Sequence, residues 1–295
     1  MFLTKVPNSI RSYDFSQTYG YVNYHKHGTI KRYLTSHNDI RSNEAASFAL
    51  WLNSISGNKI IQRLCKIYDS ILFDEIQDLA GRDIEILSLL MKSKISIVCC
   101  GDSKQATFKT HNAKKYKSKT GRNIWEFIME LKRDGLITVD INLNSRRFNE
   151  QICSFANKVF PSDYPITTIM RDITEHDGVF LIEKYDVEKY YNIFHPQVLK
   201  YDVKTNSIDY HSINFGACKG ETFDRVLIFP NKKFVDFIMK GTALNAPEKY
   251  YVAVTRPKYS LAIVLDSIPQ LLNGYEEYII SQNSTSIRSL KFIAD

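Results

Sequence analysis

Apolar residues recur at helical spacing up to about residue 70. In the segment SNEAASFALWLNSI, the side chains of Phe48, Trp51 and Ile55 fall along one face of a helix. Gly57 interrupts the pattern, and KIIQRLCKIY resumes it. The pattern predicts a helical region of the first domain over residues 1–70, with no convincing strand-turn-helix start.

From residue 70 the pattern alternates between apolar strands and amphipathic helices. SILFDE, RDIEILSLLMKS and KISIVCCGD form a strand, a short helix and a second strand, an order typical of a parallel β-α-β unit. Further predicted strands are LITVDINL, GVFLIEK, PQVLKYD, DRVLIFP and SLAIVLD. The helices predicted between or beside them are NEQICSFANKVF, DVEKYYNIF, KKFVDFIMK and PEKYYVAVT. This alternation predicts an α/β fold with mostly parallel sheets.

A polar turn at Asp134–Gly135 separates two such series of elements. We therefore expect the remainder of the first domain over residues 71–135 and a second domain over residues 136–270. Residues 271–295 are expected to form a C-terminal tail, in which the polar stretch SQNSTSIRSL is loosely ordered.

Composition adds a partner class and a compartment. The net charge of +7 and the pI near 9.0 suit a polyanionic partner as well as they suit an ordinary basic surface. The five cysteines are dispersed without a CxxC pair, and no histidines pair at metal-ligand spacing. These features argue against a disulfide framework or a zinc site. Because no apolar stretch is long enough to cross a bilayer, we expect a cytoplasmic protein without a membrane partner.

Unusual polar residues follow two of the predicted strands. Asp74 and Glu75 end the first strand, Gly101 and Asp102 end the next, and Gln105 follows three residues later. A carboxylate at the carboxyl end of a parallel strand can hold Mg²⁺ against phosphate oxygens, and its neighbour can orient or deprotonate a water molecule. An isolated Asp-Glu pair is more often an acidic turn. Two such polar ends, one helix apart, favour a functional site.

Five segments between residues 71 and 263 together resemble the conserved motifs of superfamily 1 DNA helicases of the UvrD, Rep and PcrA type. In chain order they are ILFDEIQD (motif II, Walker B), VCCGDSKQATF (motif III), NLNSRRFNEQICSFAN (motif IV), FGACKGETFDRVLIFP (motif V) and YVAVTRPKYSLAI (motif VI). The sequence is most similar to compact UvrD-like helicases of bacterial anti-phage systems of the Gabija type. The resemblance implies RecA-like parallel sheets flanked by helices, with ATP and Mg²⁺ as cofactors.

The resemblance also implies roles for single residues. Asp74 would hold Mg²⁺ and Glu75 would activate water, while Gln105 would couple the γ-phosphate to the strand-binding surface. Arg147 and Arg256 would reach the phosphates as arginine fingers. Three motif V residues would line the nucleotide and DNA cleft: Lys219, Gly220 and Thr222. Arg146 departs from the family pattern, which has an aromatic residue at that position.

The most basic stretch lies between Ser103 and Trp125, with six lysines, one arginine and no acidic residue. Lysines interleaved with aromatic residues suit a phosphate backbone with occasional base stacking, whereas the alternative is a solvated lysine loop. The residues predicted to contact nucleic acid here are Phe108, Lys109, His111, Lys114, Lys115 and Lys117, together with Lys219.

The phosphate loop of such enzymes, GxxxxGK[ST], does not occur, because none of the twelve glycines is followed by lysine. We therefore expect a helicase core whose first domain lacks its N-terminal P-loop segment, and no ATP hydrolysis by residues 1–295 alone. One hypothesis is an ATP-dependent DNA helicase or translocase acting on single-stranded DNA, whose N-terminal segment is lost, is supplied by another chain or lies outside these 295 residues. The alternative is a catalytically inactive helicase-like scaffold that binds DNA or a nuclease partner, such as one of the OLD family. A plain nucleic-acid-binding module is a third reading, and it leaves the motifs unexplained.

Overall fold

A computed structural model of the chain describes residues 10–16, 25–110, 115–208, 210–282 and 285–294. The chain divides into two compact units, Met1–Val139 (unit 1) and Asp140–Asp295 (unit 2). The fold is α/β, and its sheets are mostly parallel, as the alternating sequence pattern predicts. None of the helices in the described ranges has the length and apolar character that crossing a membrane requires.

The first part of unit 1 combines short strands with helices. Its elements are β1 (Tyr13–Asp14), α1 (Ile30–Tyr33), β2 (Ile40–Arg41), α2 (Ala45–Ile55) and α3 (Lys59–Ile67). The parallel pairing of β1 with β2 is an addition to the predicted helical region. Tyr33, Phe48 and Trp51 form a cluster of neighbouring rings in this small core, so the apolar face seen in the sequence is the face that packs.

The second part of unit 1 is the predicted β-α-β unit followed by a further helix. It comprises β3 (Ser70–Phe73), α4 (Asp83–Met91), β4 (Ser96–Cys99) and α5 (Ile124–Arg133). β3 and β4 are parallel, and Leu72 pairs with Val98 in their register. One face of this two-stranded sheet packs on α4 and α5 through Phe73 and Ile97. On the other face, Leu72 and Val98 remain 76% and 46% exposed.

Unit 2 is built around a seven-stranded sheet. Before it come β5 (Asn144–Ser145), α6 (Glu150–Val159) and β6 (Thr167–Thr168), and β5 pairs with β6. The remaining elements are β7 (Gly178–Glu183), α7 (Val187–Phe194), β8 (Gln197–Lys200), β9 (Ser212–Asn214), β10 (Phe223–Phe229), α8 (Lys232–Lys240), α9 (Glu248–Val254), β11 (Pro257–Leu265), β12 (Tyr275–Gln282) and β13 (Thr285–Phe292). The strand order is β12-β13-β7-β11-β10-β8-β9.

Both faces of this sheet are covered by apolar side chains. Val226 and Ile228 of β10 pack on one face with α6, α8 and α9. Leu227 of β10 packs on the other face with α7, where Val187 and Tyr190 are buried. Parallel strands covered on both faces read as continuous apolar runs, which is why GVFLIEK, DRVLIFP and SLAIVLD were recognisable in the sequence.

Two sequence predictions are wrong. LITVDINL is not a strand, because β5 begins only at Asn144, and Leu136 and Ile141 are largely exposed. Ile137 and Val139 pack on the core of unit 1. The carbonyl oxygen of Leu143 accepts the N–H of Thr167 in β6 at 2.8 Å, but the segment belongs to no strand ladder of the described residues. An apolar run without a strand paired along its length forms no ladder.

The expectation of a loosely ordered tail is also wrong. Residues 275–282 and 285–292 form β12 and β13, which pair antiparallel with each other, and β13 pairs with β7. Ile287, Leu290 and Phe292 are buried in the core. β13 is covered on both faces, since Ile287 packs in the core on one side of the sheet and Leu290 and Phe292 pack in the core on the other. The polar residues between them concealed this strand in the sequence. The fourfold division into regions made from the sequence stays a prediction.

Candidate active site and nucleic-acid interface

The candidate site of unit 1 begins where β3 ends. Asp74 is exposed, and its Oδ1 accepts a hydrogen bond from the backbone N–H of Glu75 at 2.8 Å. Glu75 is half-buried and adopts the left-handed conformation with φ 53°. For a residue with a side chain this conformation costs about 1–2 kcal/mol and is found at functional sites more than elsewhere. The turn thus places the Asp74 carboxylate in an exposed position and the Glu75 carboxylate in a half-buried one.

Gln77 links this turn to the one that follows β4. It is fully buried, its Nε2 donates to Glu75 Oε2, and its Oε1 accepts the backbone N–H of Asp102 at 3.0 Å. Gly101 makes the approach possible, since a Cβ there would lie 2.7 Å from the Gln77 oxygen. The sequence showed Gln77 within DEIQD but gave it no role. The feature of the sequence that could have indicated this role is the position of Gln77 two residues after Glu75.

The second turn holds the predicted sensor residue. Asp102 caps it, because its Oδ1 accepts the Lys104 N–H at 2.9 Å and its Oδ2 accepts from Gln105 Nε2 at 3.0 Å. A continuous chain of hydrogen bonds therefore runs from Glu75 through Gln77 and Asp102 to Gln105. The structure brings the predicted residues of unit 1 together at the carboxyl edge of β3 and β4.

The carboxylate at this edge that could contact Mg²⁺ is that of Asp74. In the described residues, no group of three or more His, Cys, Asp or Glu side chains could hold a metal ion. Asp74 is exposed, and only its Oδ1 is engaged by a hydrogen bond. Mg²⁺ keeps several waters and uses one or two carboxylates together with phosphate oxygens. Asp74 can thus serve a metal brought with a nucleotide, and there it would supply charge neutralisation at the phosphates.

The predicted nucleic-acid residues of unit 1 that the structure describes lie at the surface. Phe108 is 48% exposed, and Lys109 and Lys117 are also exposed. Lys115 forms an ion pair with Glu85 of α4 at 2.7 Å, and Lys119 pairs with Glu130 of α5 at 2.6 Å. His111 and Lys114 lie outside the described residues. The basic segment is therefore anchored by acidic side chains of its own unit while other lysines stay exposed.

The candidate site of unit 2 gathers two arginines around one threonine. Arg147 Nη1 donates to the carbonyl oxygen of Thr255 at 3.4 Å, and Arg256 Nη2 donates to the Thr255 hydroxyl at 3.2 Å. Arg256 is fully buried and also donates to the carbonyl oxygens of Val252 and Glu221, at 2.8 and 3.1 Å. Its guanidinium serves as a connector of backbone segments in this arrangement, which the motif resemblance did not suggest.

The turn before β10 holds the remaining predicted residues. Gly220 adopts φ +86°, and Thr222 is exposed on the same turn, while Lys219 is partly exposed. The backbone N–H of Phe223 donates to the carbonyl oxygen of Arg256 at 3.0 Å, which ties this turn to the start of β11. Arg256 is thus hydrogen-bonded to Glu221 and Phe223 of this turn, beside the three motif V residues.

Comparison with known families gives a match over part of unit 1. Residues 14–119 match the UvrD/REP helicase N-terminal domain, so this segment is similar to that domain of superfamily 1 helicases. The matched residues include both strand-end turns. They do not extend into unit 2. The search of curated proteins found no match.

Among solved structures, the chain is similar to viral helicases. The structure of the PRRSV helicase matches with 19% identity and a TM-score of 0.40, over 74% of this chain and 41% of that one. The complex of Arterivirus nonstructural protein 10 (helicase) with DNA matches with 18% identity and a TM-score of 0.41, over 65% of this chain and 39% of that one. The chain spans about two fifths of the length of these structures, and likenesses of this size carry no argument about function.

Proposed function

We propose that this chain is the core of a UvrD-type superfamily 1 helicase or translocase that couples ATP hydrolysis to movement on single-stranded DNA. The observation that carries the proposal is the hydrogen-bonded chain from Glu75 through Gln77 and Asp102 to Gln105. It supports a coupling of water activation at one strand end to phosphate sensing at the next. The match of residues 14–119 to a helicase domain supports the same function.

Within the proposal, Asp74 holds Mg²⁺ and Glu75 orients or deprotonates the attacking water. Arg147 and Arg256 stabilise charge on the phosphates. Because Arg256 is fully buried, it exchanges a carbonyl partner for phosphate when it acts. The 295 residues contain no GxxxxGK[ST] pattern, so the phosphate cradle is assigned to polypeptide other than these residues.

Nucleotide binding is the first experiment. A fluorescent ATP analogue with Mg²⁺ is titrated against the 295-residue chain, with and without single-stranded DNA. The proposal expects at most weak binding and no turnover. Turnover that vanishes in Glu75→Gln would contradict the assignment of the cradle to other polypeptide, but would support the role of Glu75.

DNA binding is the second experiment. Single-stranded DNA is expected to bind with an affinity that falls as salt rises, since lysines neutralise phosphates and release counterions. Lys109→Ala and Lys117→Ala are expected to weaken binding. The matched control is Lys204→Ala, an exposed lysine of unit 2. An affinity for single-stranded DNA that is unchanged by added salt and by all three substitutions would contradict nucleic-acid recognition by the basic segment.

A second candidate function is that of a catalytically inactive scaffold. The exposed face of the β3–β4 sheet, with Leu72 76% and Val98 46% exposed, favours it, because parallel sheets are normally covered on both faces. A nuclease partner and a role in phage defence stay predictions from the sequence resemblance. Leu72→Lys tests whether this face captures a partner, since it would abolish that capture and leave DNA binding intact.

A further inference from the structure

A cavity of about 310 Å³ lies at the carboxyl edge of the seven-stranded sheet in unit 2. Phe229 and Leu265, at the ends of β10 and β11, line it together with Val235 and Met239 of α8. Arg256 and the turn before β10 precede these same strands, so they lie at the opposite, amino edge of the sheet. The cavity is therefore separate from the candidate site described above.

The connections around the cavity diverge to opposite faces of the sheet. After β7 the chain passes into α7, which packs on the face that carries Phe180 and Leu227. After β10 it passes into α8, which packs on the face that carries Val226 and Ile228. Open parallel sheets bind ligands outside the carboxyl ends of their strands, at the point where the connections diverge in this way. The volume lies at the lower end of the range of small-molecule sites, about 300–1,000 Å³.

The lining combines an apolar floor with polar side chains, which are Asn206, Ser267 and one charge of each sign. Phe229 and Leu265 are buried, whereas Lys184, directly after β7, and Asp266, directly after β11, are exposed on the rim. Within the described residues, neither charged side chain makes a hydrogen bond or an ion pair. Glu183 Oε1 accepts the backbone N–H of Ile268 at 2.9 Å, which fixes the exit of β11 beside that of β7.

We infer that this cavity binds a small zwitterion with an apolar body, of the class of aromatic or large aliphatic α-amino acids. The ligand carboxylate would face Lys184, its ammonium group would face Asp266, and its side chain would lie on the apolar floor. A nucleoside phosphate fits less well, because its two negative charges would meet one lysine and be repelled by the carboxylate of Asp266.

The test is a calorimetric titration of the 295-residue chain with L-phenylalanine and three analogues. Phenylalaninamide lacks the carboxylate, N-acetylphenylalanine lacks the ammonium group, and AMP represents nucleotides. L-Phenylalanine is expected to bind best, and each analogue of phenylalanine is expected to bind about fivefold more weakly, as the loss of one exposed ion pair implies.

One substitution at each rim residue tests which charged group of the ligand that residue contacts. Lys184→Gln is expected to remove the preference for L-phenylalanine over its amide, and Asp266→Asn the preference over the N-acetyl form. Arg171→Gln and Asp163→Asn remove exposed charges of unit 2 at residues that do not line the cavity and should preserve both preferences. Both rim side chains are exposed, so these variants should keep the melting temperature of the parent.

Met239→Trp, which fills the floor, is expected to abolish binding. No binding of L-phenylalanine up to its solubility limit would overturn the inference, as would binding with unchanged preferences in both rim variants. Tighter binding of AMP than of L-phenylalanine would also overturn it. None of these outcomes depends on ATP hydrolysis or DNA binding, so the inference can fail without the proposed function failing.

Discussion

The side-chain oxygen of Gln77 accepts the backbone N–H of Asp102 at 3.0 Å and so joins the two strand-end turns of unit 1. The Gln77 side chain is fully buried, and its amide group also donates to Glu75. A buried amide with partners on both turns fixes the position of each turn relative to the other. The candidate catalytic carboxylate and the candidate sensor loop are therefore held by one residue.

Gln77→Leu is expected to destabilise unit 1 by about 1–3 kcal/mol, because the buried Asp102 N–H loses its acceptor. Urea unfolding followed by tryptophan fluorescence measures this directly, since both tryptophans, Trp51 and Trp125, lie in unit 1. Gln62→Leu changes an exposed glutamine of α3 and should leave the midpoint nearly unchanged. Equal midpoints for the two variants would contradict the linking role of Gln77.

Arg256→Met is expected to destabilise unit 2 by about 1–3 kcal/mol, because the carbonyl oxygens of Val252 and Glu221 would lose their donor. Arg147→Met, at a half-buried arginine with a 3.4 Å contact, should cost roughly 1 kcal/mol or less. Thermal unfolding followed by circular dichroism compares the two. A similar small loss for both would mean that the Arg256 hydrogen bonds contribute little. Activity measurements on Arg256 variants need this folding control.

His176 makes the stability of unit 2 depend on pH. Its ring is stacked between Phe180 and Phe194, and its Nε2 lies 2.9 Å from the Tyr190 hydroxyl. Burial, together with nearby Arg225 and Lys291, lowers the pKa of His176 from 6.5 to about 3. Below pH 6.5 the unfolded chain therefore takes up a proton that the folded chain does not.

This proton uptake should lower the unfolding free energy by up to about 1.4 kcal/mol per pH unit as the pH falls from 6.5 towards 3. His176→Phe removes the titrating ring and should remove this part of the pH dependence. Denaturant unfolding of both proteins at pH 7.5 and pH 5 measures the change in unfolding free energy between the two pH values. An identical loss of stability in parent and variant would show that titrating groups other than His176 account for it.

Glu85→Gln is expected to tighten single-stranded DNA binding about two- to fivefold, because Lys115 is released from its 2.7 Å ion pair. Glu126→Gln is the matched control, since it removes one exposed negative charge of the same unit that is not paired with the basic segment. Fluorescence anisotropy with a labelled oligonucleotide measures both affinities. An equal gain in the two variants would show that only net charge matters.

The sequence by itself determined the local elements and the positions of the strand-end motifs. Helical spacing around Phe48 and Trp51 predicted α2, and apolar runs predicted β3, β4, β7, β10 and β11. These signals are readable because each depends on the period of a single element and on which of its faces is buried. Asp74 and Glu75 were found in the same way, from their places directly after an apolar strand, and Gln105 from its place three residues after the Asp102 that follows the next strand.

Only the tertiary structure decided which residues are partners. LITVDINL has a strand-like sequence but no strand paired along it, whereas the polar tail supplies Ile287 and Leu290 to the core because β13 pairs with β7. The buried link through Gln77 and the burial of Arg256 depend on contacts across 25 and 35 residues. Hydrogen-bond satisfaction and burial are properties of neighbours in space, and the order of residues along the chain does not contain them.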